Sequence, residues 1–290
     1  GGGRKWMYPV IRKGKFYHYR NWLSYVYLIL FFAGPFLRIN GHPLLLLNVM
    51  ERHFVLLGQT FWPQDFFLFV LAMLAFVVCI VFFTMAFGRV FCGWICPQTI
   101  FMEMVFRKIE IWIEGDAKKR RKLDEGPLTR DKIIKKTSKH IIFVIVSFLI
   151  ANTFLAYLIG SENLLKIMTE PVTQHVVGFI SIWVFTIAFY LVYSRVRELV
   201  CTVLCPYGRL QGVLTDKHTL MVAYNYTRGE PRGKLSRKDP TPKGDCVDCG
   251  LCVDVCPTGI DIRKGAQLEC VNCTMCIDAC DQVMEKIHRE

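Results

Sequence analysis

The sequence contains no G-x-G-x-x-G run and no G-x-x-x-x-G-K-[ST] run. It therefore offers no glycine-rich cradle for a dinucleotide or a nucleoside triphosphate, and the expected electron donor is another protein. It is short of acid, with 24 Asp and Glu against 36 Lys and Arg, for a net charge of +12. Charge is almost missing from four stretches, 22–39, 66–87, 141–159 and 176–196, where only Arg38 and Arg195 stand near the ends. Each has roughly the 17–25 residues that carry a helix across a bilayer. Four such stretches in a 290-residue chain that is 53% hydrophobic exclude a single soluble core. No small-residue cleavage site follows the first stretch, so the amino end does not read as a cleaved signal peptide.

What is present sorts by position. Trp22, Tyr25, Trp62, Tyr190 and Tyr193 sit at the ends of the apolar stretches, as interfacial anchors do. Six Lys and Arg precede the first stretch, thirteen fill 88–139 and fourteen follow from Arg195 onward, while the two remaining loops share three. By the positive-inside rule the amino terminus, the 88–139 loop and the carboxy-terminal tail are all cytoplasmic, as four crossings require. The expected fold is an α-helical membrane protein: four transmembrane helices in two tandem hairpin repeats, with a small C-terminal module. The expected divisions are a cytoplasmic tail 1–21, a membrane domain 22–217, a basic linker 218–243 and a cysteine-rich domain 244–290. The run Lys118-Lys119-Arg120-Arg121-Lys122 is read as a topology signal against anionic lipid, not as a nucleic-acid contact. Residues 195–240 carry nine basic and four acidic groups, and 241–290 carry five and nine. An acidic module is thus expected to dock electrostatically on a basic base.

Eight of the thirteen cysteines lie in that module. Cys246, Cys249, Cys252 and Cys256 form one C-x₂-C-x₂-C-x₃-C run, and Cys270, Cys273, Cys276 and Cys280 form a second. This doubled spacing is that of a bacterial-type two-[4Fe–4S] ferredoxin, in which the fourth cysteine of each run serves the other cluster. Cys246, Cys249, Cys252 and Cys280 are assigned to cluster 1, and Cys256, Cys270, Cys273 and Cys276 to cluster 2. Zinc sites use paired cysteines instead, and a reducing cytoplasm disfavours disulfides.

Two further pairs, Cys92/Cys96 and Cys201/Cys205, each read C-x₃-C-P, and the offset between them is constant at 109 residues. Apolar-periodic stretches follow both, at 100–113 and 210–214. The pattern is that of an internal duplication, which would bring four thiols together at the cytoplasmic membrane surface. Pro97 and Pro206 suit a first helical position, with the preceding cysteine extended. Four soft thiolates select Cu(I), zinc or an iron–sulfur centre. Met102 and Met104 are candidate thioether ligands but stand at packing positions. Cys79 lies alone in an apolar stretch and reads as a small buried residue. His42, His53 and His175 lie in the outward loops, where they could meet a metal or a quinone.

The segments FCGWICPQTIFMEMVF at 91–106, HPLLLLNVMERHFVLLGQTFWP at 42–63 and VCTVLCPYGRLQ at 200–211, with the doubled cluster motif, resemble the CcoG (FixG/RdxA) family of cytochrome c oxidase accessory proteins. The Cys–Pro pairs are shared with NapH- and NosR-like membrane proteins. The resemblance implies a polyferredoxin of the bacterial cytoplasmic membrane that reduces Cu(II) to Cu(I) for assembly of a copper-containing oxidase. It places copper at Cys92, Cys96, Cys201 and Cys205. It implies as partners the lipid bilayer, a cytoplasmic electron-donor protein, copper transporters or chaperones and the oxidase assembly machinery, with no nucleic acid. The alternatives are a quinol-linked electron conduit of the NapH type and a non-catalytic copper chaperone or scaffold. Two departures are expected to matter. Family members continue into a further span and a periplasmic β-sandwich that this sequence does not include, and Asp281 follows Cys280 where proline is usual.

Overall fold

The computed structural model describes all residues except 1–5, 40–41, 44, 49–52, 57–58, 62–65, 172, 174, 217, 235–242 and 290. The anchor expected at Trp62 and residues 235–242 of the expected linker lie outside the described residues. The chain divides into two compact units. One is built from Gly1–Leu23, Val81–Leu128 and Glu198–Glu290, the other from Ser24–Ile80 and Thr129–Arg197.

Helices dominate, and three are long and apolar enough to cross a membrane: Val70–Phe87, Arg130–Ile159 and Val176–Val196. The 66–87 stretch is one unbroken helix, Phe66–Phe87. The 176–196 stretch runs as an α-helix to Leu191 and then widens into a π-helical turn, Val192–Val196. The 141–159 stretch is the apolar end of a helix that begins at Arg130. These helices leave Phe67, Met73, Phe76, Phe82, Val177 and Trp183 exposed, a surface suited to hydrocarbon and not to water.

The first expected span differs. Its helix is Lys15–Ala33, and it starts inside the charged flank. Gly34 and Pro35 follow, and Arg38–Ile39 is already a strand. The longest charge-free part of this helix is 21–33, which at 1.5 Å per residue is about 20 Å. That is short of a bilayer core of about 30 Å. The region expected as an outward loop forms sheet. Arg38–Ile39 pairs antiparallel with His42–Pro43, and Leu45–Asn48, His53–Leu56 and Gln59–Phe61 make a three-stranded antiparallel sheet. Leu46 and Val55 face each other in that register and are both buried.

The helical core of the second unit forms where Leu155, Ala156, Leu164 and Ile182 close on one another. Tyr157 Oη donates to the Phe31 carbonyl at 2.9 Å, giving this apolar interior one satisfied polar cross-link. In the other unit the basic run is not uniformly solvated. Arg120 is 1% exposed, pairs with Glu110 at 3.0 Å and donates to the Pro9 carbonyl at 2.9 Å. A run of five like charges on a helix has one residue on its inner face, and a buried guanidinium needs a carboxylate. Glu110 supplies it.

Candidate functional site

All twelve motif cysteines fall in one unit, the one formed by 1–23, 81–128 and 198–290. The carboxy-terminal cysteines ring two cavities. Cys246, Cys249, Cys252 and Cys280 line one of about 280 Å³. Cys256, Cys270, Cys273 and Cys276 line the other. The two adjoin, since Cys252 also faces the second and Cys276 the first. Each cavity thus meets five cysteines, among them the four expected for one cluster.

The loops repeat as the sequence does. Asp248 and Asn272, each just before the second cysteine of its run, take φ of 49° and 51°. Gly250 and Thr274, each just after it, take 72° and 61°. Helices then start at Leu251 and Met275. Left-handed residues on either side of the second cysteine turn the backbone, and in the second loop the Asn272 N–H reaches the Cys270 thiol and the Met275 N–H the Cys273 thiol, a concavity that favours an anion. A thiolate-ligated cluster is such an anion. Asp and Asn tolerate this conformation, glycine is indifferent to it, and the β-branched Thr274 is strained.

Burial pushes the thiols up, those of Cys252 and Cys273 to about 11, with the Arg263 and Arg20 guanidiniums respectively pulling the other way. Protons held so firmly are displaced only by a cation that binds more firmly still. Among the described residues no three His, Cys, Asp or Glu side chains close on one point as they would round a single ion. The doubled four-cysteine runs and the loops that carry them suit two cubane clusters.

The two C-x₃-C-P segments share one backbone geometry. The Cys96 N–H bonds the Phe91 carbonyl at 2.9 Å and the Cys205 N–H bonds the Val200 carbonyl at 2.7 Å, both i to i−5. The Ile100 N–H then bonds the Cys96 carbonyl and the Arg209 N–H bonds the Cys205 carbonyl. Cys96 and Cys205 are extended caps with ψ of 127° and 110°, and Pro97 and Pro206 open the helices that follow. The wide i to i−5 turn is the reason the pairs do not form a plain α-helical face; such π-type turns favour functional sites.

The thiols of Cys92 and Cys201 each lie near enough to Cys96 and Cys205 to feel their charge, but among the described residues no three of these side chains close on one point. Burial pushes Cys92 and Cys201 up to about 12, with the Arg89 guanidinium opposing in both, and each of the two also senses Cys96 and Cys205. The Cys92 thiol donates to Gln211 Oε1 at 2.9 Å, linking the first motif to the helix of the second. The Gly208 N–H reaches Cys205 Sγ at 3.5 Å.

The first motif also rests on the second cluster loop. A Cβ on Gly93 would stand 2.9 Å from the Cys273 Cα and 3.0 Å from the Asn272 carbonyl carbon, with the Val271 oxygen closer still. Only glycine allows that approach. Trp94 Nε1 donates to the Asn272 carbonyl at 3.3 Å, and Cys92, Val271, Cys273 and Met275 share one buried apolar cluster. The module is therefore seated by backbone contact and hydrogen bonds, beyond the charge complementarity its composition announces. Sequence reasoning missed Gly93, Arg89 and Gln211. Only the glycine beside Cys92 hinted at a close approach.

The remaining candidates are placed more simply. Met102 and Met104 are buried in the π-helical turn Ile100–Phe106 and pack as core side chains. Cys79, expected to be buried, is exposed on the Phe66–Phe87 helix. His175 pairs with Glu170 at 2.5 Å. His42 and His53 lie on strands, and their side chains are outside the described residues.

Two four-cysteine runs, in a chain with three helices long and apolar enough to cross a membrane, define a membrane-associated iron–sulfur electron-transfer protein. A model described as a 4Fe-4S dicluster domain matches 196–290, and one described as a 4Fe-4S binding domain matches 69–120. The chain is 37% identical over 99% of its length to nitrogen fixation protein FixG of Rhizobium meliloti. It is 36% and 35% identical, over 98% of its length, to proteins RdxA and RdxB of Cereibacter sphaeroides. It belongs to the FixG/RdxA family. It spans 56%, 60% and 61% of the lengths of these three relatives. No solved structure matches it.

Proposed function

We propose that the chain is a cupric reductase of a bacterial cytoplasmic membrane. It would take electrons from a cytoplasmic donor protein and reduce Cu(II) to Cu(I) at Cys92, Cys96, Cys201 and Cys205. The product would pass to copper chaperones or transporters that supply a copper-containing cytochrome c oxidase. One observation carries this reading: the turn holding Cys92 lies in backbone contact, through Gly93, with the loop holding Cys273.

When bound, the two [4Fe–4S] clusters supply one-electron storage; each electron delivered converts one Cu(II) to Cu(I). The chain's residues do the rest. Cys92 and Cys201 lie in surroundings that keep them protonated until a metal arrives. Copper binding there releases protons, and the soft thiolates favour Cu(I) over Cu(II). Gly93 and Trp94 hold the donor and acceptor loops together, which is the protein's contribution of distance and orientation. The excess of Lys and Arg in the segments flanking the apolar stretches supports a cytoplasmic site.

Anaerobic titration of the reduced protein with Cu(II) tests this. One Cu(I) should form for each electron the clusters lose. A variant with all four C-x₃-C-P cysteines changed to serine, its iron intact, should form none. Full copper reduction in that variant would remove the site.

A further inference from the structure

Arg89 is 7% exposed and has no carboxylate partner among the described residues. Its Nη1 donates to the Leu268 carbonyl, two residues before Cys270. Its Nη2 donates to the Gly208 carbonyl, three residues after Cys205. Its Nε is buried with no hydrogen-bond partner. The fold makes room for this side chain. A Cβ on Gly208 would overlap the guanidinium, and Gly88, at φ 58°, turns the chain into Arg89. A buried cation without a carboxylate is costly unless another anion faces it. The ionisable groups that feel its charge are Cys92, Cys201 and Cys270. They belong to both sites, and a thiolate of the loaded protein would supply the missing counter-charge.

We propose that Arg89 is the positioning and charge-tuning residue of the electron path. It fastens the cluster-2 loop to the second C-x₃-C-P helix and supplies the positive charge that favours the electron-rich form at Cys270. The inference rests on reading Cys256, Cys270, Cys273 and Cys276 as cluster ligands and the C-x₃-C-P thiols as the outlet. A cation beside a ligand sulfur stabilises the more negative, reduced state, as hydrogen bonds and charge around cluster sulfurs do generally. Lysine would keep the charge but lose the planar fork that reaches two carbonyls.

The test is a mediated dithionite titration of the full chain in lipid nanodiscs, both clusters loaded, followed by electron paramagnetic resonance. In Arg89→Gln one cluster should become harder to reduce. Its oxidised-to-reduced ratio at fixed potential should rise about tenfold, which is 59 mV for a one-electron couple. The other cluster should stay put, and Arg89→Lys should titrate like the parent. Unchanged potentials in Arg89→Gln with full iron, or equal shifts in both clusters, would overturn the proposal. Should Arg89→Gln shed its iron, Arg89→Lys decides: parental potentials support the charge role and a tenfold displacement refutes it. Copper is absent from this titration. A parent protein that fails to reduce copper would sink the proposed function and leave the titration result standing.

Discussion

The two C-x₃-C-P motifs have the same backbone and different neighbours. Each closes an i to i−5 turn and opens a proline-started helix. Yet the first is buried at Cys92 and Gly93 and lies on the cluster-2 loop, whereas the second has Thr202 where the first has Gly93, and its next two residues, Val203 and Leu204, are exposed. Duplication preserved the geometry that presents thiols. Side-chain size then decided which copy could be docked against the electron source. A single glycine marks the difference, because a methyl group there meets backbone, which cannot turn aside.

The largest effect should come from equalising the copies at that position. Gly93→Ala forces a Cβ into the Val271–Cys273 backbone and should cost about 3 kcal/mol or more, the upper range for overpacking. Thermal unfolding of the loaded protein should show it, and electron delivery to copper should fall sharply. The matching Thr202→Ala should change stability by under about 1 kcal/mol. Equal losses in the two would show that the copies are equivalent after all.

Asp278 is the next lever. Its buried carboxylate accepts the N–H groups of Phe16 at 3.1 Å and Tyr17 at 2.7 Å, capping a helix start from another part of the chain. Phe16 in turn meets Trp94 edge-on at 6.3 Å. Asp278→Ala strands two donors and should cost about 2–3 kcal/mol. Limited proteolysis should then cut ahead of residue 20 first, and only the first motif should loosen. Gln211→Leu removes the bond from Cys92 that ties the two copies together, at about 1 kcal/mol. It should raise the alkylation rate of Cys92 in the metal-free protein more than that of Cys201. The last effect has the opposite sign. Thr274→Gly relieves a left-handed β-branched residue and brings the second cluster loop into line with Gly250 in the first. It should stabilise the loaded module by about 1 kcal/mol in thermal unfolding.

Local chemistry was legible in the residues themselves. The C-x₂-C-x₂-C-x₃-C spacing announces the cluster-binding domain that the family model matches over 196–290, and Cys280 and Cys256 line different cavities. The constant offset of 109 reappears as matched backbone hydrogen bonds. Proline after cysteine gave the helix starts. Less visible was anything that depends on which chain segments meet. The apolar run at 22–39 has a span's composition, but Gly34 and Pro35 break it. The strands within 38–61 are stabilised by their pairing, which hydropathy does not report. Arg120 looked like one more solvated cation until Glu110 was found beside it. Arg89 carries no motif; its meaning lies in two carbonyls 119 and 179 residues away.

The unit that holds every motif cysteine is assembled from three separated lengths of chain, the last of which begins at Glu198. During synthesis, Cys92 emerges 109 residues ahead of its counterpart Cys201. At about 5–20 residues per second that is a delay of roughly 5–20 s. Through that interval the first pair of thiols has neither its partner motif nor the cluster loop that will cover it. Cluster delivery has to wait longer still, for Cys280. The fold therefore sets a biosynthetic order in which the three apolar helices are laid down before the cluster motifs are complete. A cell making this protein must keep the early thiols from oxidants and stray copper until the carboxy-terminal segment arrives.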